Sequence, residues 1–154
     1  MAINREFVGF EFSAGEAYEV TRGKIREFAE AIGDPNPAYR SVDAARELGH
    51  PDVIAPPTFG IVAAGAAAES NPIRRPEFGL NMRLVVHGEQ KFRYERPIRA
   101  GDVLTASGRI AEIRDAGQNE LVRVETEIRD AGGDLVCTAT NVIVSRGTAA
   151  GAGE

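Results

Sequence analysis

The chain has 154 residues, of which 43% are hydrophobic, a size and composition typical of one globular domain. Its 23 acidic and 18 basic residues give a net charge of -5, and it has no basic run, so we expect no nucleic-acid partner. No apolar span reaches membrane-crossing length and no secretory pattern opens the chain, which favours a cytoplasmic protein without a membrane span.

The first half of the chain predicts two amphipathic helices. Thr21 is suited to cap the first helix, apolar residues follow at helical spacing, and Gly33 ends it. The second helix begins at Ser41 and ends at Gly49. Each helix has one apolar side, so we expect both to pack against a larger element. The apolar residues of the first helix are Ile25, Phe28, Ala29 and Ile32.

A third helix is predicted after Pro56 and Pro57, because proline fits the first turn of a helix. The apolar sequence continues through Ala68 and leaves almost no polar side. A helix of this kind must be enclosed by other elements. We therefore expect it to be the central helix of the domain.

The second half of the chain predicts an antiparallel sheet. Four runs have strand character and are separated by turn sequences that predict hairpin connections, so a meander is expected. The single cysteine, Cys137, excludes an internal disulfide and is expected to be a buried thiol. A further short strand is predicted at 17–21 and a disordered tail at 147–154. The four runs cover residues 84–95, 102–113, 120–130 and 134–145.

These elements predict one α+β domain over residues 1–146, in which an antiparallel sheet curls around a central apolar helix. Such a sheet has open edges, and open edges invite pairing with a second subunit. A dimer is expected on that ground.

The segment from Gly33 to Tyr39 resembles a motif of the MaoC-like, or (R)-specific, hydratases of the hot-dog fold, usually written G-D-x-N-P, an aliphatic residue and His. Three later segments, 54–59, 87–92 and 94–102, are similar to the N-terminal MaoC-like dehydratase subfamily. That subfamily includes the non-catalytic A-type subunits of mycobacterial heterodimeric (3R)-hydroxyacyl-ACP dehydratases. The resemblance extends over about residues 5–146 and implies a hot-dog fold and an acyl-thioester ligand.

Dehydration of a 3-hydroxyacyl thioester needs a base, an acid and hydrogen-bond donors at the thioester oxygen. In the family, the Asp and His of the motif transfer protons, and a backbone N–H at the start of the central helix binds the oxygen. Tyr39 stands at the position of that His, and a phenol with a pKa of about 10 is a poor base at neutral pH. Pro57, which has no N–H, stands where active relatives have a glycine. Both departures imply a loss of catalysis.

Several candidate site residues keep two interpretations. Asp34 is either a residual catalytic acid or a turn residue that accepts a nearby N–H, and Tyr39 is either a pocket wall or a hydroxyl with a polar partner. Arg96 and Arg99 either contact the phosphate of CoA or of a carrier-protein pantetheine arm, or are solvated. The substrate-binding candidates are Asn36, Pro57, Thr58, Phe59, Gly60, His87, Arg96 and Arg99.

No cofactor is expected, and the spacing of His50 and His87 suits no zinc site. Three hypotheses follow from the resemblance. The first is a substrate-binding subunit of a (3R)-hydroxyacyl-ACP or -CoA dehydratase, completed by a hot-dog partner that carries the intact Asp and His. The second is a homodimeric hydratase that uses Asp34 with Tyr39 or His87. The third is a non-catalytic module that binds acyl thioesters.

Overall fold

The computed structural model describes residues 2–66 and 70–149. This part of the chain forms three α-helices and six strands, joined by loops and short 3-10 turns. The helices are α1 (Arg22–Ala31), α2 (Val42–Glu47) and α3 (Gly60–Gly65). The strands are β1 (Glu11–Ser13), β2 (Tyr18–Glu19), β3 (Val85–Tyr94), β4 (Val103–Ala116), β5 (Asn119–Arg129) and β6 (Leu135–Ser145).

The two amphipathic helices form where the sequence predicted them. The Thr21 side chain accepts a hydrogen bond from the amide of Lys24, so it caps α1 as expected. The Ser41 hydroxyl oxygen accepts from the amide of Ala44 and caps α2 in the same way. Gly33 has a φ of 71°, a left-handed conformation that glycine adopts easily at the end of a helix.

Helix α3 is the predicted central helix, but it begins at Gly60, so Pro56 and Pro57 lie before the helix and not in its first turn. It packs on the concave side of the sheet against β4, β5 and β6, and it buries Gly60 and Ala63. A Cβ atom on Gly60 would lie 2.8 Å from the ring of Phe92 and 2.9 Å from the hydroxyl of Tyr94, so close packing requires glycine there. The last two residues of the predicted helix, 67 and 68, lie outside the described residues.

The sheet is antiparallel and has the order β1-β4-β5-β6-β3, with β2 also paired to β4. The predicted hairpin between the first two long strands is therefore wrong, because β3 pairs with β6 and is separated from β4 by two strands. The segment 97–101 crosses the end of the sheet instead. Its backbone is bonded to the segment before α3, since Ile98 accepts from the amide of Ala55 and Ala100 donates to Val53. Ile98 lies within this crossing segment and is buried in the core.

The inward-facing side chains of β5, β6 and β3 lie in register across the sheet, and they include Cys137, which is buried as predicted. Burial raises the pKa of the Cys137 thiol to about 11, which keeps it protonated at neutral pH. The three inward rows are Ile128–Cys137–Tyr94, Thr126–Ala139–Phe92 and Val124–Asn141–Gln90.

The first and last parts of the described chain meet the same turn of the sheet. The buried carboxylate of Glu120 accepts hydrogen bonds from the amide of Ile3, and the amide of Gly147 donates to the side chain of Asn119. The amide of Ala149 donates to the carbonyl of Gln118. Of the tail predicted to be disordered, residues 150–154 lie outside the described residues. No helix in the described part of the chain is long and apolar enough to cross a membrane.

Candidate functional site

The Gly33 to Tyr39 motif forms a tight turn after α1. One carboxylate oxygen of Asp34 accepts from the amide of Asn36 at 3.0 Å, and the side-chain oxygen of Asn36 accepts from the amide of Ala38 at 3.0 Å. The guanidinium of Arg40 donates to the carbonyl of Asp34 at 2.9 Å. Two successive turns of this kind explain the order Asp-x-Asn-Pro physically, since each side chain bonds the backbone two residues further on.

Tyr39 ends this turn and is buried, with 6% of its surface exposed. Burial raises the pKa of Tyr39 above the ordinary tyrosine value, the negative charge of Asp34 raises it further, and a hydrogen bond with Asn36 lowers it. The phenol is therefore protonated at neutral pH. It can donate a hydrogen bond there but cannot act as a general base.

A pocket of about 300 Å³ adjoins Tyr39. Its walls come from the motif turn, the segment that leads into α3, and the end of β3 with the residues that follow it. This arrangement brings together Tyr39, Pro57 and Arg96 of the predicted site residues. The lining residues are Tyr39, Ile54, Ala55, Pro57, Tyr94, Glu95, Arg96, Pro97 and Ile98.

Tyr94 is a residue of this pocket to which sequence reasoning assigned no role. Its hydroxyl donates to the carbonyl of Pro57 at 2.6 Å and accepts from the amide of Gly60 at 3.1 Å, so it closes the first turn of α3. Burial raises the pKa of Tyr94 far above the ordinary value, so the hydroxyl stays protonated. Its inward position could have been found from the alternation of β3, in which Phe92 also faces inward.

The arginine of the pocket is held by acidic neighbours. The guanidinium of Arg96 donates to both carboxylate oxygens of Asp102, at 2.8 and 3.0 Å, and to Asp130 at 3.1 Å. The hydrogen bonds with Asp102 raise the pKa of Arg96, and the bond from Arg96 lowers the pKa of Asp130. Asp102 also accepts from the amide of Arg99, whose guanidinium lies 3.8 Å away. The turn at Pro97 is therefore organised around one nearly buried carboxylate.

Other predicted site residues lie outside the pocket. Phe59 is fully buried and its ring packs edge-on against Phe28, whereas Thr58 is exposed. His87 is exposed at a bulge of β3, and its ring nitrogen lies 3.1 Å from the carbonyl of Glu89. Gly60 contacts the pocket through its bond to Tyr94. Among the residues that the structure describes, no three His, Cys, Asp or Glu side chains are grouped as metal ligands.

The sequence model of the family described as "FAS1-like, dehydratase domain region" matches residues 6–139. A UPF0336 protein of Thermobifida fusca (strain YX) is 48% identical over 149 residues, which cover 97% of each chain.

Two solved structures are similar to the whole fold. One is the C-terminally truncated HadBC (3R-hydroxyacyl-ACP dehydratase) complex from Mycobacterium tuberculosis, with a TM-score of 0.77 and 26% identity over 90% of this chain and 96% of that one. The other is a MaoC-like dehydratase, with a TM-score of 0.79 and 28% identity over 91% of this chain and 42% of that one. The expected resemblance to MaoC-like dehydratases and the expected hot-dog fold are both confirmed.

Proposed function

Because this chain belongs to the FAS1-like dehydratase domain family, we propose that it is the substrate-binding, non-catalytic subunit of a heterodimeric (3R)-hydroxyacyl thioester dehydratase. The observation that carries the proposal is a protonated tyrosine at the base position of the motif. Tyr39 is buried beside Asp34, and both burial and that charge raise the pKa of the phenol. A group that is already protonated cannot remove the C2 proton or activate water.

The second support concerns the stabilisation of negative charge on the thioester oxygen. A catalytic site needs preorganised hydrogen-bond donors that point at this oxygen. Pro57 has no N–H, and the Gly60 amide is already bonded to the hydroxyl of Tyr94. Neither position provides a free donor to a thioester in the pocket. An acyl thioester could contact the walls of this pocket, but these two positions would not stabilise its transition state.

The third support is the position of the pocket next to an open sheet edge. Strand β3 has β6 on one side, and on its other side it pairs with no strand of the described residues. The strand ends at Tyr94, within the pocket. A second hot-dog chain on this edge would therefore adjoin the pocket and bring its own Asp and His to the substrate. The HadBC structure, to which this chain is similar, is itself a complex.

The test is a hydration assay with crotonyl-CoA on the purified chain and on the chain co-expressed with a hot-dog protein that has the intact G-D-x-N-P-x-H motif. We expect no turnover by the chain alone and turnover by the pair. Asp34→Ala should leave the activity of the pair largely intact, as should the control Asp43→Ala at an exposed position of α2.

The competing homodimeric hydratase predicts a different result. In that case the chain alone hydrates crotonyl-CoA, and Asp34→Ala abolishes the activity while Asp43→Ala does not. That outcome would overturn the proposal. If the chain is a binding module without turnover, the pair is no more active than the intact partner is by itself. This outcome would overturn the proposal as well.

A further inference from the structure

Two cavities lie along the inward face of β3. The pocket of the candidate site has a volume of about 300 Å³ and includes Tyr94 in its wall. A second cavity of about 170 Å³, which we call the inner cavity, includes Gln90 in its wall. Phe92 is the inward residue between Gln90 and Tyr94, so it lies between the two cavities.

Helix α3 and the residues before it show the same division. Pro57 lines the pocket, whereas Ile61 and Ala64 line the inner cavity. Gly60 lies between these positions, and the ring of Phe92 packs directly against it. A Cβ atom on Gly60 would lie only 2.8 and 2.9 Å from two carbons of that ring. The contact between Phe92 and Gly60 therefore separates the cavities on both elements.

Tyr94 keeps this contact closed. Its hydroxyl bonds the carbonyl of Pro57 at 2.6 Å and the amide of Gly60 at 3.1 Å, which holds β3 against the start of α3. The ring of Phe92 lies beside that of Tyr94, with a centroid distance of 6.2 Å. The gap between helix and sheet is therefore filled at this point.

The inner cavity is a poor continuation for a hydrocarbon chain. Gln90 and Asn141 lie opposite each other on β3 and β6, and each has a buried side-chain oxygen with no hydrogen-bond partner among the described residues. A buried acceptor costs free energy unless a donor reaches it, and a hydrocarbon chain has no donor. The inner cavity is therefore suited to water or to a polar group.

We propose that Phe92 ends the acyl site, so that this chain accepts short acyl groups. The pocket on the Tyr94 side holds about ten groups of roughly 30 Å³ each in its volume of about 300 Å³. The thioester and the adjoining part of its pantetheine arm occupy several of these positions. Acyl groups of about four to six carbons therefore fill the pocket, and a longer chain meets Phe92. This inference rests on the proposed function for the nature of the ligand, and it adds the length of its acyl group.

The test measures the binding of saturated acyl-CoA thioesters to the purified full chain by isothermal titration calorimetry. The series runs from butyryl-CoA through hexanoyl-CoA to dodecanoyl-CoA. In the wild type, Kd should change less than about twofold between hexanoyl-CoA and dodecanoyl-CoA, because the added carbons stay in water. In Phe92→Ala, the space left by the ring admits further methylenes, and each one tightens binding about fourfold. Dodecanoyl-CoA should then bind this variant at least roughly tenfold more tightly than hexanoyl-CoA does.

The matched control is Phe7→Ala, which removes the same ring from another part of the core. Phe7 packs against Phe10 and Phe78, with ring centroids 5.6 and 5.1 Å away, and is not among the described residues that line either cavity. The control should keep the wild-type dependence on chain length. Phe92→Leu leaves a smaller space and costs less stability, so it provides a second variant, with a smaller preference for dodecanoyl-CoA.

Three results would overturn the inference. The first is a wild-type chain that already binds dodecanoyl-CoA at least roughly tenfold more tightly than hexanoyl-CoA. The second is a wild-type length profile in both Phe92 variants, or an equal gain in the Phe7→Ala control. The third is no binding at any chain length, which would also remove the premise that the pocket receives the acyl group. The crotonyl-CoA assay of the pair is a separate measurement, so either of the first two results leaves the proposed function standing.

Discussion

Replacing Tyr94 with phenylalanine removes one hydroxyl and keeps the ring. The hydroxyl bonds the amide of Gly60 at 3.1 Å and the carbonyl of Pro57 at 2.6 Å, so the variant leaves one donor and one acceptor without a partner. Gly60 is buried, and a buried unpaired donor costs about 1–3 kcal/mol. Pro57 is exposed, so water can replace the bond to its carbonyl at little cost.

The expected loss in the free energy of unfolding is therefore about 2 kcal/mol. For a chain of this length the loss corresponds to a decrease in Tm of about 4–8 °C. Urea unfolding followed by circular dichroism at fixed protein concentration measures the loss directly.

The control is Tyr18→Phe in β2. The Tyr18 hydroxyl makes no hydrogen bond to the residues that the structure describes, and burial raises the pKa of this tyrosine as well. Its removal should change the unfolding free energy by less than about 0.5 kcal/mol. If Tyr94→Phe has an effect as small as that of Tyr18→Phe, the hydroxyl does not hold the first turn of α3, and the second support for the proposed function is lost.

Three further predictions follow from buried polar groups, and urea or thermal unfolding checks each. Glu120→Ala should cost about 3 kcal/mol, because the fully buried carboxylate accepts from the amide of Ile3 through both oxygens, and a cost below about 1 kcal/mol would contradict this role. Asn141→Leu should leave the free energy of unfolding unchanged or raise it by about 1 kcal/mol, because the buried side-chain oxygen of Asn141 has no hydrogen-bond partner among the described residues. A large loss of stability would contradict this assignment. Raising the pH above about 9 should destabilise the chain, because folding raises the pKa of Cys137 to about 11 and also raises the pKa values of Tyr39 and Tyr94. This stabilisation is present below the unfolded-state pKa values and is lost as the pH rises toward the folded-state values. The alkaline slope of Tm should be shallower in Tyr94→Phe, and an equal slope would show that Tyr94 does not contribute.

The local structure could be predicted from the sequence because it depends on neighbours along the chain. The caps at Thr21 and Ser41 and the turn at Gly33 each involve residues within four positions, so composition and spacing determine them. The four long strands likewise follow from a period of two. The motif from Gly33 to Tyr39 indicates the family from the sequence alone, because its residues are contiguous.

The pairing of β3 with β6 could not be predicted in this way. The strands are about forty residues apart, and hydrophobic alternation states which face of a strand is buried but not which strand lies beside it. The sequence therefore favoured a simple meander. In the structure the segment 97–101 is bonded to the residues before α3, and β4 lies two strands away from β3.

The sequence by itself shows that Tyr39 stands where the motif has histidine, because the identity of a residue does not depend on the fold. Only the tertiary structure decided what surrounds that tyrosine. The bonds from Tyr94 to Pro57 and Gly60 span 37 and 34 residues, and the clamp on Arg96 joins Asp102 to Asp130. Such contacts form when separate elements pack around one core, and their partners depend on topology, which no local pattern encodes.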